Sequence, residues 1–104
     1  MILGASGQNI YPEEIEAKIN NLTFVQEAVV IDDNQRLVAL IFPDKEMMDK
    51  QGVNEAKLNG IFEDHRKHLN NTLPAFMKVA EFRIHHEEFE KTPKKSIKRF
   101  LYTK

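Results

Sequence analysis

Cysteine is absent from the 104 residues, which excludes a disulfide framework and any chemistry that needs a thiolate. Long apolar runs are absent as well, so we expect no transmembrane segment. The first residues, Met1-Ile2-Leu3-Gly4, lack the basic region and the long apolar region of a secretory signal. These absences are compatible with a cytoplasmic protein.

Acidic residues are missing from the segment that runs from Lys91 to Lys104, which carries six Lys or Arg residues. Because the net charge of the whole chain is -1, residues 1–90 carry -7. A mildly acidic body therefore ends in a basic tail. Segregated charge of this kind usually meets an anion, such as nucleic acid, an acidic membrane or a phosphorylated small molecule. The plainer interpretation is a solvated C-terminal helix with surface lysines.

The local pattern of the tail favours a short helix. Thr92-Pro93 is typical of a turn or a helix start, because proline suits the first helical position and threonine can cap it. Ile97, Phe100 and Leu101 then fall at i, i+3 and i+4, which is the spacing of one apolar helix face. We expect Phe100 and Tyr102 to pack against the body of the domain.

The beginning of the chain predicts a hairpin followed by a helix. Ile2-Leu3 and the residues up to Ile10 form two short strands around a loop that contains Gly4 and Gly7. Glycine permits positive φ or a close approach of the backbone to a ligand. The glycine spacing does not fit a Rossmann fingerprint or a P-loop, and no Lys-Ser/Thr pair follows.

Pro12 opens the first helix, and the helix buries Ile15, Ile19 and Leu22 as one stripe. Its early glutamates are interpreted as partners of the helix dipole on the solvent face, because no His or Asp stands beside them at the spacing of metal ligands. These glutamates are Glu13, Glu14 and Glu16.

The remaining elements predict a single α+β domain over residues 1–104, in which helices pack on a small sheet that has an N-terminal hairpin. Residues 27–31 and 37–42 form an antiparallel hairpin with a turn at 32–34, and the second of these strands is central. Residues 45–52 are a short helix or loop, Asn54 caps a long helix, and residues 79–85 form a third strand. One core is expected to contain Ile15, Ile19, Val30, Leu40, Leu58, Phe62, Leu69 and Phe82.

The histidines do not predict a metal centre. His65 lies on the stripe of the long helix and is interpreted as a partly buried packing residue. The run His85-His86-Glu87-Glu88 is placed on a strand, where neighbouring side chains face opposite sides and cannot converge on one ion.

Two segments resemble motifs of one superfamily. Residues 7–16, Gly-Gln-Asn-Ile-Tyr-Pro-Glu-Glu-Ile-Glu, resemble the Gly-x-x-Ile-x-Pro-x-Glu-Ile-Glu motif of the adenylate-forming (AMP-binding) superfamily, which includes acyl-CoA synthetases, luciferases and peptide-synthetase adenylation domains. Residues 91–99 resemble its last motif, with Thr-Pro and Ile-Lys-Arg most similar to long-chain fatty-acid CoA ligases. The resemblance covers nearly the whole chain, but only the small C-terminal lid domain of that superfamily. Met1 falls just after the family's interdomain hinge, so we expect an excised domain.

The resemblance implies a two-step reaction. The carboxylate of a fatty acid attacks the α-phosphate of ATP to give an acyl-adenylate and pyrophosphate, and coenzyme A then displaces AMP to give a thioester. The lid swings between the half-reactions and presents a different face in each, which excludes water and completes the site. The implied cofactors are ATP and coenzyme A, with Mg²⁺ on the N-terminal adenylation domain of the same chain. That domain is the implied partner, and the isolated lid is expected to be inactive.

The resemblance also assigns a catalytic lysine, and here the sequence departs from the pattern. Alignment with Thr-Pro-x-x-Lys-Ile-x-Arg places Ser96 where the lysine belongs, and a serine cannot supply a cation. Lys95 is adjacent and could serve if the loop slips by one residue. Lys98 lies two residues away, on the same side if the segment is extended. We favour Lys95 as the charge that neutralises the reacting carboxylate and α-phosphate.

The glycine loop has its own implied role. Ser6, Gly7 and Gln8 are the residues past which the pantetheine arm of coenzyme A is expected to run, because glycine lets a ligand approach the backbone closely.

A second function remains open, namely a stand-alone module whose basic tail binds nucleic acid or an acidic partner. Proteins that bind nucleic acid tend to be basic overall or to interleave aromatic residues with cations. This chain is net acidic, so we expect no nucleic acid among its partners. A large adenylate-forming domain encoded upstream would decide between the two functions.

Overall fold

The computed structural model describes residues 2–4 and 7–102, which form a small α+β structure. The strands are β1 (Ile2–Leu3), β2 (Asn9–Ile10), β3 (Val25–Asp33), β4 (Arg36–Pro43) and β5 (Val79–Ile84). The helices are α1 (Pro12–Ile19), α2 (Lys45–Gln51) and α3 (Glu55–Asn70), with 3₁₀ turns at Ala75–Met77 and Arg99–Leu101. The predicted fold class is confirmed.

The first elements form as the sequence predicts. β1 and β2 pair antiparallel, and Pro12 occupies the first turn of α1. Ile15 and Ile19 are completely buried against the sheet, as the apolar stripe indicated, whereas α1 ends before Leu22, which is only partly buried.

The main sheet has three strands in the order β3-β4-β5. β3 and β4 form the predicted antiparallel hairpin, but the predicted turn at residues 32–34 is shifted. Asp32 and Asp33 still pair in the strands, and the turn consists of Asn34 and Gln35 at φ 54° and 64°. Positive φ at both central residues is the conformation whose twist matches that of the flanking strands.

β4 is the central strand, as its continuous apolar sequence indicated. Its second neighbour, β5, runs parallel to it, with Leu37 opposite Val79 and Ala39 opposite Phe82. A parallel pair needs a long crossover, and α2 and α3 provide it.

The helices of the crossover begin at side-chain caps. Asp44 accepts a hydrogen bond from the Met47 amide at 3.1 Å at the start of α2, and Gly52 ends that helix at φ 65°. Asn54 accepts from the Lys57 amide at 2.8 Å, which confirms it as the cap of α3. None of the helices within the described ranges has the length and apolar character that a membrane crossing needs.

The prediction of a single core is wrong in one respect, because the sheet separates two apolar clusters. The larger lies under α1 and α3 and contains most of the predicted core, including Phe62 and Phe82. Leu40 belongs to the second cluster, with Val29, Val38 and Phe89. Alternate residues of a strand face opposite sides, so continuously apolar strands supply both clusters.

The predicted C-terminal helix does not form. After β5 the chain crosses the second face of the sheet, where Phe89, Ile97 and Tyr102 pack on the smaller cluster. Tyr102 contacts the body as expected, whereas Phe100 is 71% exposed and Leu101 is 47% exposed. Within residues 97–101 the helical element is the single 3₁₀ turn Arg99–Leu101, and Ile97 packs on the sheet, so the apolar residues of the tail do not share the face of an α-helix.

Candidate functional site

Residues 91–98, which we call the basic hairpin, contain the predicted catalytic candidates. Lys91 and Ile97 form an antiparallel bridge. The loop closes through hydrogen bonds from the Lys95 amide to the Thr92 carbonyl and from the Thr92 amide to the Ser96 carbonyl, each 2.8 Å. This is a three-residue hairpin loop, in which a turn is followed by one residue in the left-handed region. That residue is Lys95.

Three lysines of the basic hairpin make no ion pair and no side-chain hydrogen bond with other residues that the structure describes: Lys94, Lys95 and Lys98. Lys94 and Lys95 are exposed at the tip, as is Ser96, and Lys98 is half-buried. Ile97 packs on the sheet. Ile97 pairs with Lys91 as in a strand, and because successive side chains of an extended segment point to opposite sides, we expect Ser96 and Lys98 on the side opposite to Ile97.

Lys91 anchors one side of the basic hairpin. Its Nζ lies 2.7 Å from Oε2 of Glu27 on β3. The hydrogen bond to Glu27 raises the pKa of the Lys91 ammonium above its ordinary value. Lys91 is thereby engaged with the sheet and is not presented to a ligand.

Arg99 anchors the other side through a fork-to-fork pair with Glu16. Nη2 of Arg99 donates to Oε1 of Glu16 at 2.7 Å, and Nη1 donates to Oε2 of the same carboxylate. Oε2 also accepts from the Val30 amide at 2.7 Å, and Nη1 donates to the Val30 carbonyl at 3.1 Å. Hydrogen bonding to Glu16 raises the pKa of the Arg99 guanidinium. The pair joins α1, β3 and the tail.

Placing Glu16 on the solvent face was wrong, because Glu16 is only 9% exposed. Glu13 and Glu14 are exposed, as predicted. The signal was present in the spacing: Pro12, Ile15, Glu16 and Ile19 fall at i, i+3, i+4 and i+7, so Glu16 lies within the buried stripe. A carboxylate at such a position needs a charged partner, and the sequence could not show that Arg99 supplies it.

The glycine hairpin, formed by β1, β2 and the loop between them, carries the other candidates. Gly7 has φ 85°, and a Cβ built there would meet no atom within 4 Å. Its amide donates to the Gly4 carbonyl at 2.9 Å, and the Gly4 amide donates to the Gln8 carbonyl at 2.8 Å. Gly7 and Gln8 are both exposed. Ser6 lies outside the described residues.

A cavity of about 350 Å³ lies beside the glycine hairpin. Its walls include the apolar side chains of Leu3 and Phe76 and the basic side chains of Arg36 and Lys78. Such a wall can hold an apolar arm and a phosphate at the same time.

The histidines occupy packing and surface positions. Nε2 of His65 donates to the Thr23 carbonyl at 3.1 Å, and its ring lies 6.2 Å from that of Phe62, which confirms the packing role. His85 stacks on Phe89, and His86 pairs with Glu55. Within residues 2–4 and 7–102, no three His, Asp or Glu side chains are grouped as a metal ion would need.

Comparison with solved structures finds the same fold as part of several larger proteins. The chain is similar to the A-PCP didomain of carboxylic acid reductase from Segniliparus rugosus in complex with AMP (19% identity, TM-score 0.71, 94% of this chain and 15% of that one). It is similar to an acyl-CoA synthetase from Brucella canis (23%, 0.72, 99% and 18%). It is also similar to a fatty acyl CoA synthetase from Mycobacterium tuberculosis (20%, 0.62, 98% and 18%). The chain thus spans less than one fifth of the length of these proteins.

The family comparison covers the whole chain. A search of curated proteins found no match. The family model described as the AMP-binding enzyme C-terminal domain matches residues 1–104. That match spans the glycine hairpin, the sheet and the basic hairpin together, so the chain belongs to the family of AMP-binding enzyme C-terminal domains.

Proposed function

We propose that the chain is the lid domain of an AMP-forming ligase that converts a fatty acid first to its acyl-adenylate and then to its coenzyme A thioester. The observation that carries the proposal is the basic hairpin of a family member: Lys91 and the adjoining Arg99 are engaged as anchors, and three lysines of the hairpin are left free. ATP and coenzyme A are the proposed cosubstrates, Mg²⁺ is assigned to the large N-terminal domain, and that domain is the partner of this one.

In the first half-reaction a carboxylate oxygen bonds to the α-phosphorus of ATP. The bond between that phosphorus and the oxygen that bridges it to the β-phosphate breaks, and pyrophosphate leaves. Negative charge concentrates on the oxygens around the α-phosphorus. A cation held in place before the reaction stabilises that charge without reorganisation. Lys95 is exposed at the loop tip, and we propose that its ammonium is this cation. Lys98 is the alternative, because we expect it on the same side of the chain as Ser96.

In the second half-reaction the sulfur of coenzyme A bonds to the acyl carbon, and AMP leaves. Ser6, Gly7 and Gln8 are proposed to line the path of the pantetheine arm. The support is the open space around Gly7 and the cavity beside Leu3 and Gly4 of the same hairpin, which Arg36 and Lys78 line together with apolar side chains and Asp32. Cations of this kind suit the phosphates of coenzyme A.

A fatty acid is the proposed substrate because the Thr92-Pro93 and Ile97-Lys98-Arg99 segments are most similar to the long-chain ligases. One similar structure is a fatty acyl CoA synthetase, whereas another is a benzoate CoA ligase from Burkholderia xenovorans LB400. The acid is therefore best identified by testing several classes in parallel.

The test uses the complete protein that contains this chain, together with ATP, Mg²⁺ and a panel of acetate, benzoate, octanoate and palmitate. We expect pyrophosphate release that depends on a fatty acid, and thioester formation once coenzyme A is added. The isolated chain should release no pyrophosphate, because the ATP and acyl pockets are assigned to the large domain. Fatty-acid-dependent release by the isolated chain, or no release by the complete protein with any acid, would contradict the proposal.

One observation favours a binding module as the second candidate: the exposed aromatic ring of Phe100 adjoins the free lysines in sequence. Family membership does not favour it. Fluorescence anisotropy with a labelled single-stranded oligonucleotide decides the point, and we expect no binding at physiological salt.

A further inference from the structure

We propose that Glu16 and Arg99 are positioning residues for the first half-reaction, holding the basic hairpin so that its free lysine meets the α-phosphate. This inference rests on the proposed function. The pair connects the two segments that resemble family motifs, because Glu16 ends the first and Arg99 ends the second.

The pair of Glu16 and Arg99 fixes the orientation of the Arg99 side chain as well as its position. The planar guanidinium meets both carboxylate oxygens of Glu16, and the Val30 amide and carbonyl close the arrangement from the strand. A bidentate pair resists rotation, which a single-point contact such as a lysine ammonium does not. Arg99 lies four residues after Lys95 and one after Lys98. A fixed Arg99 therefore restricts the positions that the backbone of the loop can take.

The second anchor lies on the same strand. Lys91 pairs with Glu27, three residues before Val30 on β3. The amide of Lys98 donates to the Glu90 carbonyl at 2.8 Å, which ties the two arms of the hairpin together. Both arms of the basic hairpin are therefore held against β3. The free lysines lie in the chain between the two anchor residues, Lys91 and Arg99.

Charge stabilisation depends on such precision. A displacement of about 1 Å, caused by a change away from the reacting atoms, can lower the rate on the order of 100-fold. Arg99→Lys keeps the charge and loses the fork, so it tests positioning separately from charge. Glu16→Gln keeps the shape of the side chain and removes its charge.

The chain offers a matched control on α3. Arg66 donates from Nε to Oε2 of Glu63 at 3.0 Å, pairs with the other carboxylate oxygen through Nη2, and donates from Nη1 to the Val79 carbonyl at 3.2 Å. It therefore repeats the contacts of Arg99, a carboxylate plus a strand carbonyl, at a site that does not touch the basic hairpin. Arg66→Lys therefore measures the effect of losing a bidentate arginine–carboxylate pair at a site away from the basic hairpin.

The experiment measures three quantities in the complete enzyme carrying Arg99→Lys, Glu16→Gln or Arg66→Lys. These are the single-turnover rate of adenylation, the rate of thioester formation from supplied acyl-adenylate, and amide hydrogen exchange of residues 92–98. For Arg99→Lys we expect adenylation to fall about 100-fold with little change in KM for ATP. We also expect exchange in residues 92–98 to accelerate and thioester formation to stay within a few-fold. Glu16→Gln should act in the same direction, and Arg66→Lys should change none of the three.

Hydrogen exchange separates failure of this inference from failure of the proposed function. Unchanged exchange and unchanged adenylation in Arg99→Lys would overturn the positioning role while leaving the ligase activity of the unmodified enzyme in place. Equal loss of both half-reactions, together with a melting temperature lowered well beyond that of Arg66→Lys, would also overturn it, since the pair would then only hold the fold. If the unmodified enzyme forms no adenylate from any acid, the proposed function fails and the positioning role fails with it.

Discussion

At the scale of single residues, the charge of the tail divides into two kinds. Lys91 and Arg99 are bound to Glu27 and Glu16, whereas Lys94, Lys95 and Lys98 have no ionic partner within the part of the chain that the structure describes. The number of lysines in the sequence could not show this division, because the division depends on carboxylates more than 60 positions away in the chain. Only the free lysines are available to a phosphate.

Lys95 also carries a conformational cost. It is a non-glycine residue at φ 65°, a conformation that costs on the order of 1–3 kcal/mol. Lys95→Gly removes that cost but loses about 0.4–1 kcal/mol through the greater freedom of the unfolded chain. We expect a net gain of about 1 kcal/mol in the free energy of unfolding, measured by urea denaturation.

Lys94→Gly is the matched control, because Lys94 does not have positive φ. It should destabilise the protein slightly or leave its stability unchanged. A loss of stability in Lys95→Gly equal to that in Lys94→Gly would show that the left-handed conformation of Lys95 stores no strain. Backbone strain at a lysine of the basic hairpin agrees with a functional role for its side chain.

At the scale of elements, the glycine hairpin and the basic hairpin are assigned to different half-reactions. Gly7 has positive φ and open space around it, so a side chain added there would project into the path proposed for the pantetheine arm. In the complete enzyme, Gly7→Leu should slow thioester formation from supplied acyl-adenylate and largely spare adenylation. Single-turnover assays separate the two steps.

Gly52→Leu provides the control for this variant. Gly52 ends α2 at φ 65°, and a Cβ built there also meets nothing within 4 Å, so the substitution introduces comparable backbone strain away from both motifs. It should affect stability but neither half-reaction. Equal loss of both half-reactions in Gly7→Leu would instead indicate that the hairpin had misfolded.

The helices and strands of the body could be predicted from the sequence, because local spacing determines them. Proline and asparagine mark the starts of α1 and α3, and the apolar run of β4 marks a central strand. The tail could not be predicted in the same way. Ile97, Phe100 and Leu101 have helical spacing, but Ile97 is drawn to the second face of the sheet, and a long-range contact overrides a short local pattern. The burial of Glu16 could be predicted from its place in the stripe of α1, but its partner Arg99 could not, because the two residues are 83 positions apart in the sequence.

At the scale of the whole molecule, the two surfaces for which we propose functions, the glycine hairpin and the basic hairpin, lie on one compact body. The helices cover one face of the sheet, and the tail crosses the other before it forms the basic hairpin. A lid that presents a different surface in each half-reaction needs elements of this kind on a rigid frame, since closure must complete the site each time. We therefore expect that a substitution in one of these surfaces impairs one half-reaction and spares the other.

The most direct measurement of this account is the rate of each half-reaction in the complete enzyme carrying Lys95→Ala. If Lys95 supplies the cation, adenylation should slow by on the order of 100–1000-fold, the scale for removal of one preorganised charge-stabilising group. Thioester formation from supplied acyl-adenylate should change little. Lys98→Ala tests the alternative lysine, and Ser96→Lys tests restoration of the aligned one.

A large, selective loss of adenylation in Lys95→Ala is the predicted result. The same loss in Lys98→Ala alone would transfer the role to Lys98, and faster adenylation in Ser96→Lys with no effect of Lys95→Ala would show that the natural protein lacks the cation. Unchanged adenylation in Lys95→Ala, Lys98→Ala and Ser96→Lys alike would contradict the account, because the basic hairpin would then be no more than a solvated surface loop.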